Sequence, residues 1–156
     1  MIKLALFASG SGSNVENIYE YFKNHNKILV DSVFCNNPNA YVIERARLLG
    51  IDPIIFDQRK TTDIDLLRML ESRNVSSIIL AGYILLIPEA IINKFEGKII
   101  NIHPSLLPDY PGLDTHRRAI ADGAREHGAT VHFVTQDLDA GPVIIQGRVK
   151  VCENDS

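Results

Sequence analysis

"IKLALFASGSGSNVENIYEYF", residues 2–22, is the stretch on which the fold turns. Residues 2–8 are apolar apart from Lys3, as expected of a strand covered on both faces. The run breaks into Ser9-Gly10-Ser11-Gly12-Ser13-Asn14. Apolar residues then resume as Val15, Ile18, Tyr19 and Phe22, at the spacing of an amphipathic helix. Strand, tight turn and helix in that order open a β-α-β unit. Glycines in the turn let the backbone reverse and present its N–H groups, and the helix start adds a partial positive charge. That combination cradles an anion, most often a phosphate. A second reading needs no ligand, because Ser13 and Glu16 have the spacing of a capping box. Val15 stands where a dinucleotide fingerprint needs its third glycine, and no Gly-Lys-Ser/Thr follows. A phosphate monoester therefore fits better than a nicotinamide cofactor.

The pattern continues outward from this unit. Strands are predicted at 28–35, 52–56, 75–81 and 98–102, with helices at 40–49, 62–73 and 88–95 between them. A short helix over 115–122 precedes strands at 129–135 and 142–151, joined by "QDLDAG" as a hairpin. The alternation predicts an α/β fold with a doubly wound, mostly parallel, Rossmann-like sheet and a late antiparallel hairpin. At 156 residues the chain is expected to be a single domain. Its last residues, Asn154-Asp155-Ser156, are helix-capping types placed after a strand, so the domain is expected to be truncated at its C-terminus. An ordinary polar tail is the other reading.

Composition narrows the function. The net charge is −3 and no basic block occurs, which argues against nucleic acid or a membrane surface as partner. No apolar run is long enough to span a bilayer, and the N-terminus lacks the features of a signal peptide. Cys35 and Cys152 form no Cys-x-x-Cys, and a reducing, cytoplasmic setting is expected. The five histidines include no His-Glu-x-x-His, so no metal is expected.

"NIHPSLLPDYPGLDTH", residues 101–116, follows the fifth predicted strand. Pro104, Pro108 and Pro111 each fix φ and bias the preceding residue toward extended geometry. A loop so restricted loses little entropy on ordering and can hold His103 still. A structural histidine at a strand end is the competing reading. Asn101 lies two residues earlier, on the same face of a strand, and its amide can donate to a developing oxyanion. Asp139 lies in the tight "DLDAG" segment, and a carboxylate beside an imidazole favours the protonated ring. Asn101, His103 and Asp139 together suit acyl transfer by general acid–base chemistry without a covalent nucleophile. No Gly-x-Ser-x-Gly elbow is present.

These residues resemble the folate-dependent glycinamide ribonucleotide formyltransferases. The resemblance runs nearly the whole chain: "SGSGSN", "ERARLLGI", "LAGY", "NIHPSLLPDYPGLDTHRRAIADG", "EHGATVHFVT" and "LDAGPVIIQ". It implies transfer of a formyl group from 10-formyltetrahydrofolate, a cosubstrate, to the amine of glycinamide ribonucleotide in purine biosynthesis. A monomer or homodimer is expected. By motif, Gly12, Ser13 and Asn14 would hold the substrate phosphate, and Asn101, His103 and Asp139 would be catalytic. Arg59, Ile84, Leu85, Leu86 and Ile87 would flank the folate. Thr135, Gln136, Asp137 and Leu138 would form a loop over its pterin, with Asn101 and Asp139 also in contact. Asp114 stands where many relatives carry histidine. A non-catalytic phosphate- or nucleotide-binding fragment, and another formyl transferase or hydrolase on the same scaffold, are the alternatives.

Overall fold

A computed structural model describes residues 1–152 and 155 of the chain. Asn154 and Ser156, on which the expectation of a truncated end partly rested, lie outside the described residues. Two compact units are present, Met1–Ile99 and Ile100–Ser156.

The first unit alternates as expected: β1 (Ile2–Phe7), α1 (Ser13–Phe22), β2 (Ile28–Cys35), α2 (Tyr41–Leu48), β3 (Asp52–Ile55), α3 (Asp63–Ser72), β4 (Ser77–Leu80) and α4 (Glu89–Lys94). β1 runs parallel to β2 on one side and β4 on the other, and β3 adds in parallel to β2. On one face of β1, Leu4 and Leu6 join Val15 of α1 and Val42, Ile43 and Ala46 of α2 in a single buried cluster. On the other, Phe7 stacks on Phe34 with centroids 4.9 Å apart and meets the edges of Phe56 and Tyr83. With both faces dry, alternation disappears from the sequence and β1 reads as one apolar run. Each fully buried Leu or Phe contributes about 1.5–3 kcal/mol.

The β1–β2 register slips between Leu4 and Ala5, leaving Asp31 as the extra residue of a bulge. Its carboxylate meets Lys3 Nζ at 3.1 Å and Arg73 Nε at 2.7 Å. Burial pushes this carboxyl up, but the Arg73 and Lys3 donors outweigh it and hold Asp31 below the usual carboxylate range.

Two helix starts differ. α3 opens with a capping box in which Thr62 accepts from the Asp65 N–H at 3.1 Å. The box expected from Ser13 and Glu16 does not form. Gly12, at φ 77, occupies the cap position, so Ser13 is already helical. Glu16 instead pairs with Arg45 of α2. The left-handed glycine moves the cap one residue earlier than the box requires.

The second unit holds β5 (Ile99–His103, its first residue being the last of the first unit), α5 (Thr115–Ala121), β6 (Glu126–Phe133) and β7 (Val143–Lys150). β6 lies antiparallel to both β5 and β7, which confirms the late hairpin. The β5–β6 register sets Asn101 opposite His132 and His103 opposite Thr130. Among the described residues, no helix is long and apolar enough to cross a membrane.

Candidate active site

His103 ends β5 and is buried. The segment after it is held by more than its prolines. Ser105 Oγ donates to the carbonyls of Asp109 and Tyr110 at 2.6 and 3.1 Å. Thr115 Oγ1 donates to the Pro104 carbonyl at 2.6 Å. The buried Thr130 of β6 gives its hydroxyl proton to the Ser105 carbonyl at 2.7 Å and accepts from the Leu107 N–H at 3.0 Å. Gln146 of β7 donates to the Leu107 carbonyl at 2.7 Å. Interior polar groups are thus satisfied by side chains of the antiparallel strands, and the loop is fixed as a by-product.

Tyr110 adopts a left-handed φ of 53°, and its carbonyl meets His103 Nε2 at 2.9 Å. A carbonyl only accepts, so Nε2 carries a proton. On the other side of the ring, Nδ1 faces Asp139 Oδ1 at 3.5 Å, with both side chains about one-twentieth exposed. Both ring nitrogens therefore point at acceptors, and the doubly protonated ring is the form that donates to both. Asp139, itself at φ 51, accepts from the Gly112 N–H through Oδ2 at 2.8 Å. That bond ties the turn between β6 and β7 to the proline-rich loop. Gly141 permits the turn's return, because a Cβ there would lie 1.8 Å from the Phe133 carbonyl oxygen.

Asn101 and Asp139 are joined through a residue that sequence reasoning missed. His132 Nδ1 contacts the Phe133 carbonyl at 2.9 Å, so that nitrogen is protonated. Nε2 is left to accept from Asn101 Nδ2 at 3.2 Å, and it stands 3.8 Å from Asp139 Oδ1. The amide of Asn101 is thereby oriented, with its second N–H unspent on His132. A nearby pair, His116 and His127, shares a bond of 2.8 Å between Nδ1 and Nε2. Burial, then the neighbouring His116, pushes His127 below the ordinary histidine range.

In the first unit, the Gly-Ser loop turns its carbonyls inward. Gly10 O accepts from the Val42 N–H and Gly12 O from the Glu16 N–H, both at 3.0 Å. Ser11 O accepts from Arg45 Nε at 3.0 Å. Among the described residues, no acceptor takes the N–H groups of Ser11, Gly12, Ser13 or Asn14. Gly12 is required here: its φ is +77, and a Cβ would stand 2.4 Å from Val42 Cγ2 and 3.0 Å from Val42 Cα. Gly12→Ala is expected to lose about 1–3 kcal/mol of stability. Gly10→Ala, with nothing within 4 Å of the added carbon, is expected to stay near the parent. Paired thermal melts check this, and equal melting temperatures would refute it.

The profile of the formyl transferase family matches residues 2–156. The chain belongs to the formyl transferase family. It is 41% identical to phosphoribosylglycinamide formyltransferase of Escherichia coli (strain K12), over 99% of this chain and 76% of that protein. It is 38% identical to the Bacillus subtilis (strain 168) protein of the same name, over 100% of this chain and 83% of that one. Among solved structures, glycinamide ribonucleotide transformylase 1 from Geobacillus kaustophilus superposes with a TM-score of 0.93 at 40% identity. That match covers 100% of this chain and 86% of the other.

In this formyl transferase the residues expected around a folate are divided between the units. Ile84 and Leu86 follow β4 with their side chains largely bare, whereas Ile87 is buried and Leu85 half-buried. The Ile84 N–H is anchored to Ser9 Oγ at 3.2 Å, and that hydroxyl donates to Asn36 Oδ1 at 2.6 Å. Arg59 lies in an exposed turn where its N–H bonds Asp57 Oδ1 at 2.9 Å. Thr135, Gln136, Asp137 and Leu138 lie between β6 and β7 in the second unit, and Leu138 is exposed. Thr130, His132 and Gln146 had no sequence signal beyond their place in a strand, since their partners lie across the sheet.

Proposed function

We propose that this formyl transferase moves a formyl group from 10-formyltetrahydrofolate to the primary amine of glycinamide ribonucleotide, as expected of a relative of the phosphoribosylglycinamide formyltransferases. The observation that carries the reading is the set Asn101–His132 and His103–Asp139, built on two buried histidines. It places an amide donor and a proton-bearing ring in one cluster.

The residues suit a reduced folate. Ile84, Leu86 and Leu138 are apolar side chains left exposed at 62%, 72% and 61%. Bare apolar side chains of this kind favour contact with a flat ring system. When bound, the folate supplies a formyl carbonyl on a nitrogen able to leave. The chain's own residues would then do three things. The N–H groups of Ser11 to Asn14 hold the substrate phosphate at the start of α1. Asn101 donates its free N–H to the formyl oxygen as negative charge grows there, a contribution worth about 100–1,000-fold in rate. His103 gives the proton at Nδ1 to the departing folate nitrogen as its bond to the formyl carbon breaks, and takes one back from the attacking amine, whose new C–N bond has formed. Asp139 keeps that ring oriented.

The test incubates the purified chain with both substrates and follows the products by mass spectrometry. Formylated glycinamide ribonucleotide and deformylated folate in equal amounts are expected. Release of formate with no formylated amine would mean a hydrolase, and no turnover of the folate would mean a binding module.

A further inference from the structure

The Gly-Ser loop and the histidine loop are stiffened in opposite ways. The histidine loop carries its own prolines. The Gly-Ser loop has none, and two of its residues are glycines, for which peptide rotation is nearly free of steric cost. Yet its N–H groups serve an anion only while its carbonyls face away. A flip of the Ser11–Gly12 peptide would withdraw the Gly12 N–H and aim a carbonyl dipole where the phosphate belongs.

Three bonds hold the carbonyls of this loop, and only the one to Ser11 O lies on the peptide that would flip. Those to Gly10 O and Gly12 O come from backbone N–H groups of Val42 and Glu16, so no side-chain change removes them. The bond to Ser11 O comes from a side chain, Arg45 Nε, at 3.0 Å. Arg45 reaches it from α2, and the same guanidinium pairs through Nη1 with Glu16 in the first turn of α1. The planar fork suits both contacts, with one arm on a carbonyl and another on a carboxylate. Its cation lies 5.1 Å from the Tyr41 ring centroid, which fixes the approach. The pairing has a second consequence. An unpaired Glu16 would set a negative charge at the helix end that has to receive a phosphate; Arg45 offsets it.

We propose that Arg45 is a positioning residue for phosphate recognition: its fork on Ser11 O and Glu16 holds the Gly-Ser loop with its N–H groups turned toward the substrate phosphate. This rests on the reading of that loop as the phosphate site.

The test compares kcat/KM for glycinamide ribonucleotide with that for glycinamide riboside, the same substrate without phosphate, in the parent, Arg45→Met and Arg45→Lys. In the parent the phosphate is expected to be worth about 100-fold or more, as several charge-assisted bonds would supply. In Arg45→Met that ratio is expected to fall about 10-fold, the size of coupling typical of residues in contact. The loss should lie in KM for the ribonucleotide, with the riboside and the folate unaffected. Arg45→Lys keeps the charge but not the fork, so a smaller fall is expected; it also serves if the methionine variant does not fold. Inhibition by inorganic phosphate should weaken in parallel. A parent enzyme indifferent to the phosphate would overturn the loop assignment, and this inference with it. A parent that discriminates, beside variants that keep its full ratio, would overturn the role of Arg45 alone. Equal losses on both substrates would mark Arg45 as merely structural and overturn it too.

Discussion

His103→Ala is expected to keep the fold and lose about 100- to 10,000-fold in kcat, the range for removing a positioned acid–base group. The size of the effect follows from how thoroughly the ring is committed. Nε2 is spent on the Tyr110 carbonyl at 2.9 Å, so proton traffic falls to Nδ1, which faces Asp139 at 3.5 Å. Among the described residues, no second side chain holds a proton in an equivalent position, because His132 has its Nδ1–H on Phe133 and its Nε2 on Asn101. Folding should survive. The loop after His103 keeps its bonds to Thr130, Gln146 and Thr115, none of which involves the imidazole. The cavity left by the ring should lower the melting temperature by a few degrees, for a cost of about 1–3 kcal/mol. Steady-state kinetics beside a thermal melt decides the matter; turnover within tenfold of the parent, in a folded variant, would remove His103 from the mechanism.

Asp139→Asn should come next in size, at about 100-fold or more in kcat, and for a different reason. The amide has the volume of the carboxylate and can still accept from the Gly112 N–H, a bond of 2.8 Å in the parent. Its NH₂ group then faces His103 Nδ1 in place of an acceptor. An N–H donor there asks Nδ1 to be an acceptor, which favours the neutral ring with its proton on Nε2. The transferable proton is lost while the geometry stays. KM for glycinamide ribonucleotide should change little, since the substitution leaves its phosphate-holding groups alone. Nitrogen NMR of the His103 ring offers a readout apart from turnover: the variant should show Nδ1 bare and its proton on Nε2, facing the Tyr110 carbonyl. A variant with parental turnover would show that Asp139 serves only to bind Gly112.

Much of this architecture was legible along the chain, because its causes are local. β1 reads as a strand since both of its faces are packed, by Leu4 and Leu6 on one side and Phe7 on the other. Pro104, Pro108 and Pro111 announce a stiff loop because each constrains only its own φ and its neighbour. The short distance between Asn101 and His103 in sequence places them two apart on one strand. Where local reasoning failed, at Ser13 and Glu16, a longer-range partner won: Arg45, some thirty residues on, drew the carboxylate away from the helix cap.

By itself, then, the sequence determined the order of strands and helices, the glycine-rich and proline-rich turns, and the residue types able to carry acyl transfer. These depend on backbone sterics and on the period of apolar residues, which act over a few positions. The tertiary structure alone decided that His132 orients Asn101, that Thr130 and Gln146 brace the histidine loop, and that Arg45 reaches Ser11. Each of those contacts depends on strand register or on how a helix packs, set by burial summed over a whole unit, and no short window of residues contains that sum.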